Sequence, residues 1–281
     1  MMALSVIIRT QNSAATIKKC LESIKRQSLF PQQIIVVDNN SSDDTIKIAK
    51  SIVPNITIIL YPSNIVFNYS KAINIGIAKS MTKYLMILSS HVELIHTETI
   101  SNMANILEQS LKVKAVSMNR SSSRENLGNQ NFVLEQIDHS NFKGRAMYNY
   151  CSMLRKADWQ ERSFNEDIPR CEDQEWIYYW LAKEDNLAVF ISKPHVYYSN
   201  PYYNAKKDIW DFIVMGRFVY PYYKSFSFIR ENISMMKKYF LARDIKKLTF
   251  YTRLTFTLLR EKVVPVNMSN LTSTYNKKLN K

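Results

Sequence analysis

The residues best suited to chemistry in this chain are two adjacent carboxylates, Glu172 and Asp173, within Glu172-Asp173-Gln174-Glu175-Trp176. Neighbouring negative charges oppose each other, and an aromatic wall such as Trp176 withholds water. Both effects raise a carboxylate pKa toward the range where a general base works. The competing reading is an acidic helix start whose charges only favour the helix dipole. Three further polar clusters each follow an apolar run: Arg9-Thr10-Gln11-Asn12, Asp38-Asn39-Asn40 and Ser89-Ser90-His91. An aspartate at a buried strand end can accept hydrogen bonds from a base or ribose. A lysine near a helix start, such as Lys71, offers phosphate a point charge.

The elements before these clusters must position them. Leu4–Ile8, Ile34–Val37, Ile56–Leu60 and Tyr84–Leu88 are short apolar runs rich in β-branched residues, the pattern of strands buried on both faces. A further strand is expected near residues 113–118. Helical spacing recurs between them: Ile17, Cys20, Leu21 and Ile24 with Ser13 as cap, then about Thr45–Ile52, Asn68–Ala78 and residues 97–110. Alternating strands and helices predict an α/β fold, a Rossmann-like, mostly parallel, doubly wound sheet flanked by helices. Ligands of such sheets bind beyond the carboxyl ends of the strands, so the three clusters should face one crevice. Residues 119–145 read as a long polar loop, 145–204 as mixed structure, and the remainder as helical. That divides the chain into a domain of residues 1–204 and a helical extension of residues 205–281.

Composition narrows the function classes. A chain of 281 residues, 46% apolar, suits one large domain with such an extension. No GxGxxG or GxxxxGK[ST] occurs and there are only four glycines, so dinucleotide-cofactor and P-loop readings lack their phosphate cradle. Cys20, Cys151 and Cys171 are odd in number and widely spaced. They argue against a disulfide framework or a cysteine zinc site and fit a reducing compartment. No signal-peptide pattern and no apolar run of about 18 residues is seen, so the expected location is cytoplasmic, peripheral on the inner face of the membrane. The net charge of +14 is uneven: residues 205–281 hold 16 Lys and Arg against 5 Asp and Glu. Interleaved with Trp210, Tyr222, Phe228, Tyr239 and Phe256, these charges suit an anionic bilayer surface. A homo-oligomer interface or packing on the catalytic domain is the other reading. No nucleic-acid-binding motif accompanies the charge.

Residues 5–12 (SVIIRTQN), 36–45 (VVDNNSSDDT), 70–76 (SKAINIG), the strand ending at Ser89-Ser90-His91, and 172–176 (EDQEW) come in a telling order and spacing. Over roughly residues 4–200 the chain resembles glycosyltransferase family 2, the inverting enzymes of GT-A fold. The resemblance implies a nucleotide-diphosphate sugar as donor and a saccharide or lipid-linked hydroxyl as acceptor, in surface polysaccharide or glycolipid synthesis. It puts Thr10 and Asn12 in the nucleoside pocket and Asp38 on the base. Asn40 and Ser89 fall in the same nucleotide and donor site, and Lys71 and Asn74 near the nucleotide and donor sugar. It makes Asp173 the catalytic base and Glu172 its support, after the lead-in Phe164-Asn165-Glu166. Lys71 and Arg155 would stabilise the leaving diphosphate. The plainer readings are that Asn12 and Asn40 form turns, that Asp43 and Asp44 cap a helix, and that Arg155 is a surface residue.

The chain departs from the family at the metal. The family usually ends its fourth strand with Asp-x-Asp or Asn-x-Asp, whose carboxylate holds a divalent cation on the diphosphate; here the residues are Ser89-Ser90-His91. An imidazole suits Mn2+ better than Mg2+. His91 is therefore a metal ligand, a hydrogen-bond donor to the diphosphate, or a structural histidine, and Glu93 is a further ligand candidate or a solvated side chain. The family's late metal-binding histidine falls at Tyr198, three residues after His195. This departure keeps open a catalytically silent GT-A-like binding or scaffold subunit. A nucleotidyltransferase would want more acidic ligands and a basic glycine-rich loop.

Overall fold

A computed structural model describes residues 2–124, 131–199, 205–220, 223 and 225–263. The chain divides into two compact units, one of residues 1–166 and 172–200, the other of residues 167–171 and 201–281. The boundary expected at 204/205 adjoins residues 200–204, which lie outside the described residues, as does Tyr222.

In the first unit the order is β1 (Leu4–Thr10), α1 (Ala14–Lys25), β2 (Gln33–Asp38), α2 (Thr45–Ile52), β3 (Thr57–Leu60), α3 (Tyr69–Lys79) and β4 (Tyr84–Ser89). There follow β5 (Val92–Glu93), α4 (Thr99–Gln109), β6 (Val113–Ser121), β7 (Val133–Ile137), β8 (Cys151–Arg155), α5 (Lys156–Glu161), α6 (Glu172–Leu181) and β9 (Leu187–Tyr198). The sheet runs β3-β2-β1-β4-β8-β6-β9-β5, with β7 paired to β9.

The first four strands are parallel, as expected. The sheet as a whole is mixed, because β8 lies antiparallel between β4 and β6. The chain enters β8 from the β7 excursion and not through a crossover helix, so nothing obliges it to run parallel. Since β8 opposes both neighbours and β6 and β9 are parallel, the carboxyl ends of β1, β2, β4, β6 and β9 share one edge with the start of β8.

Val6, Ile7 and Ile8 are all fully buried, which is why β1 reads as an unbroken apolar run. On one face Ile17, Cys20, Leu21 and Ile24 of α1 join Val6, Ile8, Met86 and Leu88 in the main core. On the other, α3 lies so close that a Cβ on Gly76 would sit 2.4 Å from Ile7 Cγ2 and 3.1 Å from Val37 Cγ2. The expected loop at 119–145 is partly sheet. β6 continues to Ser121, and β7 adds an edge strand that buries only Ile137, too little apolar pattern to read.

The second unit contains α7 (Ala205–Phe218), α8 (Phe226–Leu241) and α9 (Ile245–Val263). Ile209, Ile213, Phe228, Ile229, Leu254 and Leu258 are buried within it, and Arg170 pairs with Asp211 at 2.6 Å. No described helix is long and apolar enough to cross a membrane.

Gly76→Ala is expected to lower stability by about 1–3 kcal/mol through overpacking against Ile7. That outweighs the roughly 1 kcal/mol that alanine gains in helix propensity. Urea unfolding of the two proteins checks the sign.

Candidate active site

The strand-end loops are tied together by their own side chains. Thr10 and Asp38 are register neighbours at the ends of β1 and β2. Asn12 (φ 46°) and Asn40 (φ 52°) adopt the left-handed conformation that asparagine tolerates better than most residues. Asn12 Oδ1 accepts from the Ser42 N–H (2.8 Å), and Asn40 Nδ2 donates to the Tyr61 carbonyl (3.0 Å). Both asparagines therefore form turns. Asp43 accepts from the N–H groups of Thr45 and Ala14, each at 3.0 Å, and so caps α2 and α1 together. Ser13, the expected cap of α1, instead bonds the Gln11 carbonyl and the Ser90 hydroxyl. The Asp38 carboxylate is buried and accepts from the Ser41 N–H and hydroxyl. Thr10 Oγ1 is buried with no hydrogen-bond partner among the described residues.

The acidic pair is assembled by three elements. Glu172 and Asp173 open α6, where the helix dipole favours negative charge. From the end of β1, Arg9 reaches Glu172 Oε1 and the Asn149 carbonyl, both at 3.5 Å, and lies over the Tyr69 ring. Just before β8, Asn149 donates its N–H to Asp173 Oδ2 (3.0 Å) and its side-chain amide to Glu172 Oε1 (3.2 Å). Arg9 thus compensates Glu172, and Asp173 is left with two N–H donors, from Asn149 and Gln174. Burial first, then the Glu172 charge, pushes the Asp173 carboxyl up to about 7. The carboxylate environment expected from sequence is present. Arg9, expected there only as part of a strand-end cluster, and Asn149, not singled out at all, complete it.

Ser89-Ser90-His91 closes the far side of β4. Ser90 Oγ meets Ser13 Oγ at 2.9 Å, and His91 Nδ1 meets Thr16 Oγ1 at 3.2 Å on α1. Burial lowers the His91 pKa, favouring the neutral imidazole. Tyr198, at the position of the expected late histidine, packs edge-on to His91 with ring centroids 6.4 Å apart. Tyr150, whose carbonyl accepts from the Ser89 N–H, packs against Tyr198. The Tyr150 hydroxyl is pushed up by burial and by Tyr148; Arg120 opposes that shift and Asp173 adds to it. Arg120, at the end of β6, stands over the rings of both Tyr198 (4.6 Å) and Tyr150 (5.1 Å).

Two assignments are corrected and one residue is found in an ion pair. Asn74 Oδ1 accepts from Trp159 Nε1 and the Phe164 N–H, while its Nδ2 donates to the Phe164 carbonyl and Glu166 Oε1. All four of its hydrogen-bonding positions are taken, so it clamps residues 164–166 instead of meeting a donor. Lys71 sits 3.8 Å from Glu166, exposed enough to be shared. Arg155 is neither in the crevice nor on the surface. It pairs with Tyr84 at the opposite edge of the sheet, where it donates to the carbonyls of Leu107, Ser110 (2.6 Å) and Val113 (2.7 Å) and to Asp158. It closes the C-terminus of α4, whose last carbonyls have no helical partner. Glu93 is paired with Arg124 and Arg26 and is not solvated.

These side chains do not fit the divalent cation that the motif resemblance implies. The position offers one imidazole and serine hydroxyls, and the carboxylate two residues on, Glu93, already serves two arginines. Among the described residues no three His, Cys, Asp or Glu converge on one point. Hard cations want several oxygen ligands, mostly carboxylate.

The model of the family described as glycosyl transferase family 2 matches residues 5–161. The O-antigen chain rhamnosyltransferase RfbN of Salmonella typhimurium is 30% identical over 103 residues, 36% of this chain and 32% of that protein. A PGL/p-HBAD biosynthesis glycosyltransferase of Mycobacterium tuberculosis is 31% identical over 102 residues, 36% of this chain and 40% of that protein. The matched stretch thus spans well under half the length of these relatives. Among solved structures, the mannosyltransferase PcManGT of Pyrobaculum calidifontis, in complex with GDP-Man and Mn2+, aligns with a TM-score of 0.59. It is 14% identical and covers 98% of this chain and 79% of that one. S. aureus TarS in complex with UDP-GlcNAc aligns at 0.56, 15% identical, covering 79% and 70%. These likenesses show the GT-A fold.

Arg155→Met should cost about 2–4 kcal/mol of stability by leaving buried carbonyls and Asp158 poorly matched. Donor affinity of the folded fraction should not change. Chemical unfolding and nucleotide titration of the same preparation separate the two effects.

Proposed function

The chain belongs to glycosyl transferase family 2, and we propose that it moves a sugar from a nucleotide-diphosphate sugar to an acceptor hydroxyl with inversion, Asp173 serving as general base. The observation that carries this reading is the division of labour between the two carboxylates. Glu172 is compensated by Arg9, while Asp173 is held near neutrality at the shared strand edge. An acceptor hydroxyl meeting Asp173 gives up its proton to the carboxylate as its oxygen bonds to the anomeric carbon. The bond from that carbon to the diphosphate breaks, and the electron pair leaves with the nucleoside diphosphate. One displacement needs no covalent enzyme intermediate.

Thr10 and Asp38, buried at adjacent strand ends, are the groups we assign to the nucleoside, with Ser89 beside them. Lys71 is assigned to the diphosphate side, exchanging Glu166 for phosphate. The acceptor class, a saccharide or lipid-linked saccharide of surface polysaccharide or glycolipid, is supported by the names of the sequence relatives. The second unit supports a lipid setting: Phe240, Leu241, Ile245 and Phe256 are each about 70–80% exposed among basic residues. Such a surface suits the anionic inner face of a membrane.

Asp173→Asn is expected to reduce turnover by about 10²–10⁴-fold, the usual worth of a positioned base, while sparing donor binding. With the folded carboxyl raised to about 7, the wild-type rate should climb as pH rises through neutrality and level off above it. A rate indifferent to pH between 5.5 and 8.5, or a fully active Asn variant, would remove Asp173 from this role. For the second unit, replacing Phe240, Leu241, Ile245 and Phe256 by serine in the full chain should abolish co-sedimentation with phosphatidylserine-containing vesicles. Unchanged sedimentation would refute the membrane assignment.

A further inference from the structure

We propose that Arg120, held over the Tyr150 and Tyr198 rings beside His91, binds the donor diphosphate where the family's metal would otherwise sit. This inference rests on the transferase reading above and concerns how its leaving group is stabilised.

The first observation is charge accounting at the strand edge. Arg9 is compensated by Glu172, and Arg124 by Glu93. Arg120 has no carboxylate partner among the described residues, and its guanidinium carbon lies over both tyrosine rings. Cation–π contact with two rings places the charge without consuming its N–H donors. An ordered, exposed cation with free donors is a preformed receptor for a planar pair of oxygens, as a diphosphate presents.

The second observation is position. Tyr198 meets both Arg120 and His91. Tyr150 lies within electrostatic reach of both Arg120 and Asp173, and its carbonyl is bonded to Ser89. The guanidinium therefore stands on the same edge as the proposed base, beside the residues that replace the family's acidic motif. An acidic motif there would compete with a diphosphate for that charge. With serine and histidine instead, its charge stays available.

The third is the chemistry of the leaving group. As the anomeric bond breaks, negative charge grows on the diphosphate, and either a cation or fixed N–H donors must meet it. A guanidinium supplies both at once. His91, whose Nδ1 meets Thr16 Oγ1 and whose Nε2 has no hydrogen-bond partner among the described residues, adds a polar group beside Tyr198.

The test is calorimetric titration of the full chain with UDP, GDP and dTDP, each in EDTA and in Mn2+. The wild type should bind one of them in EDTA with an affinity within about threefold of that in Mn2+. Arg120→Ala should weaken that diphosphate at least tenfold and leave binding of the matching nucleoside unchanged, whereas Arg120→Lys should restore part of the loss. Removing one donor aimed at developing charge typically costs about 10²–10³ in kcat, and Arg120→Ala should fall in that range. Binding that appears only with Mn2+, or that is unchanged in Arg120→Ala, overturns this inference and leaves the transferase reading standing. No binding of any of the three under either condition overturns the transferase reading, and this inference with it.

Discussion

Two carboxylates side by side, sharing a single half-buried cation, are the constraint around which this molecule is organised. Asp173 cannot be moved into open water without losing its raised proton affinity, and two adjacent carboxylates cannot both be ionised cheaply in a half-buried site. Arg9 resolves the conflict by joining Glu172, while Asn149 presents its N–H to Asp173 and its amide to Glu172. For this to hold, β1 must deliver an arginine at its end, an asparagine must stand just before β8, and α6 must start on the acidic pair. The mixed sheet meets all three demands, since its antiparallel β8 brings a strand start to the edge where the parallel strands finish.

The same edge departs from the family pattern in the charges it carries. Where acidic residues end the fourth strand, a cation has to be imported. Here serine and histidine occupy that place, Tyr198 stands where a histidine is usual in the family pattern, and an aromatic slot fills the space between them. The arginines Arg9 and Arg124 are paired with Glu172 and Glu93, whereas Arg120 has no carboxylate partner among the described residues. Compensation of charge, more than the count of charges, distinguishes these residues. The basic excess of the second unit is a separate matter, since along α8 and α9 lysines and arginines alternate in sequence with exposed apolar residues such as Phe240, Leu241 and Phe256.

Much of the fold could be read in the sequence because β1, β2 and β4 are buried on both faces and α1 is amphipathic. Those conditions leave period and run length as a direct trace. β7 left no trace because it buries one residue of five, and the direction of β8 depends on what precedes it in space. For the site, the acidic pair and the ordered strand-end clusters were legible, since their chemistry follows from residue type and local context. Asn74 and Arg155 were misread for a common reason. Whether a polar side chain is available depends on how many partners the tertiary structure gives it, and sequence does not record that. Asn12 and Asn40 turned out as the plainer reading had it, through backbone conformation and loop-to-loop bonds.

The clamp at Asn74 has a consequence for how this chain can change. One amide joins α3 to Trp159, Phe164 and Glu166, and Glu166 in turn meets Lys71 and accepts at its carbonyl from Asn68. The helix that carries Lys71 and the segment that leads toward the acidic pair are thereby fastened at several points. A substitution on either side leaves unmatched polar groups on the other, so the two stretches are bound to drift together, some ninety residues apart in sequence yet a single heritable unit.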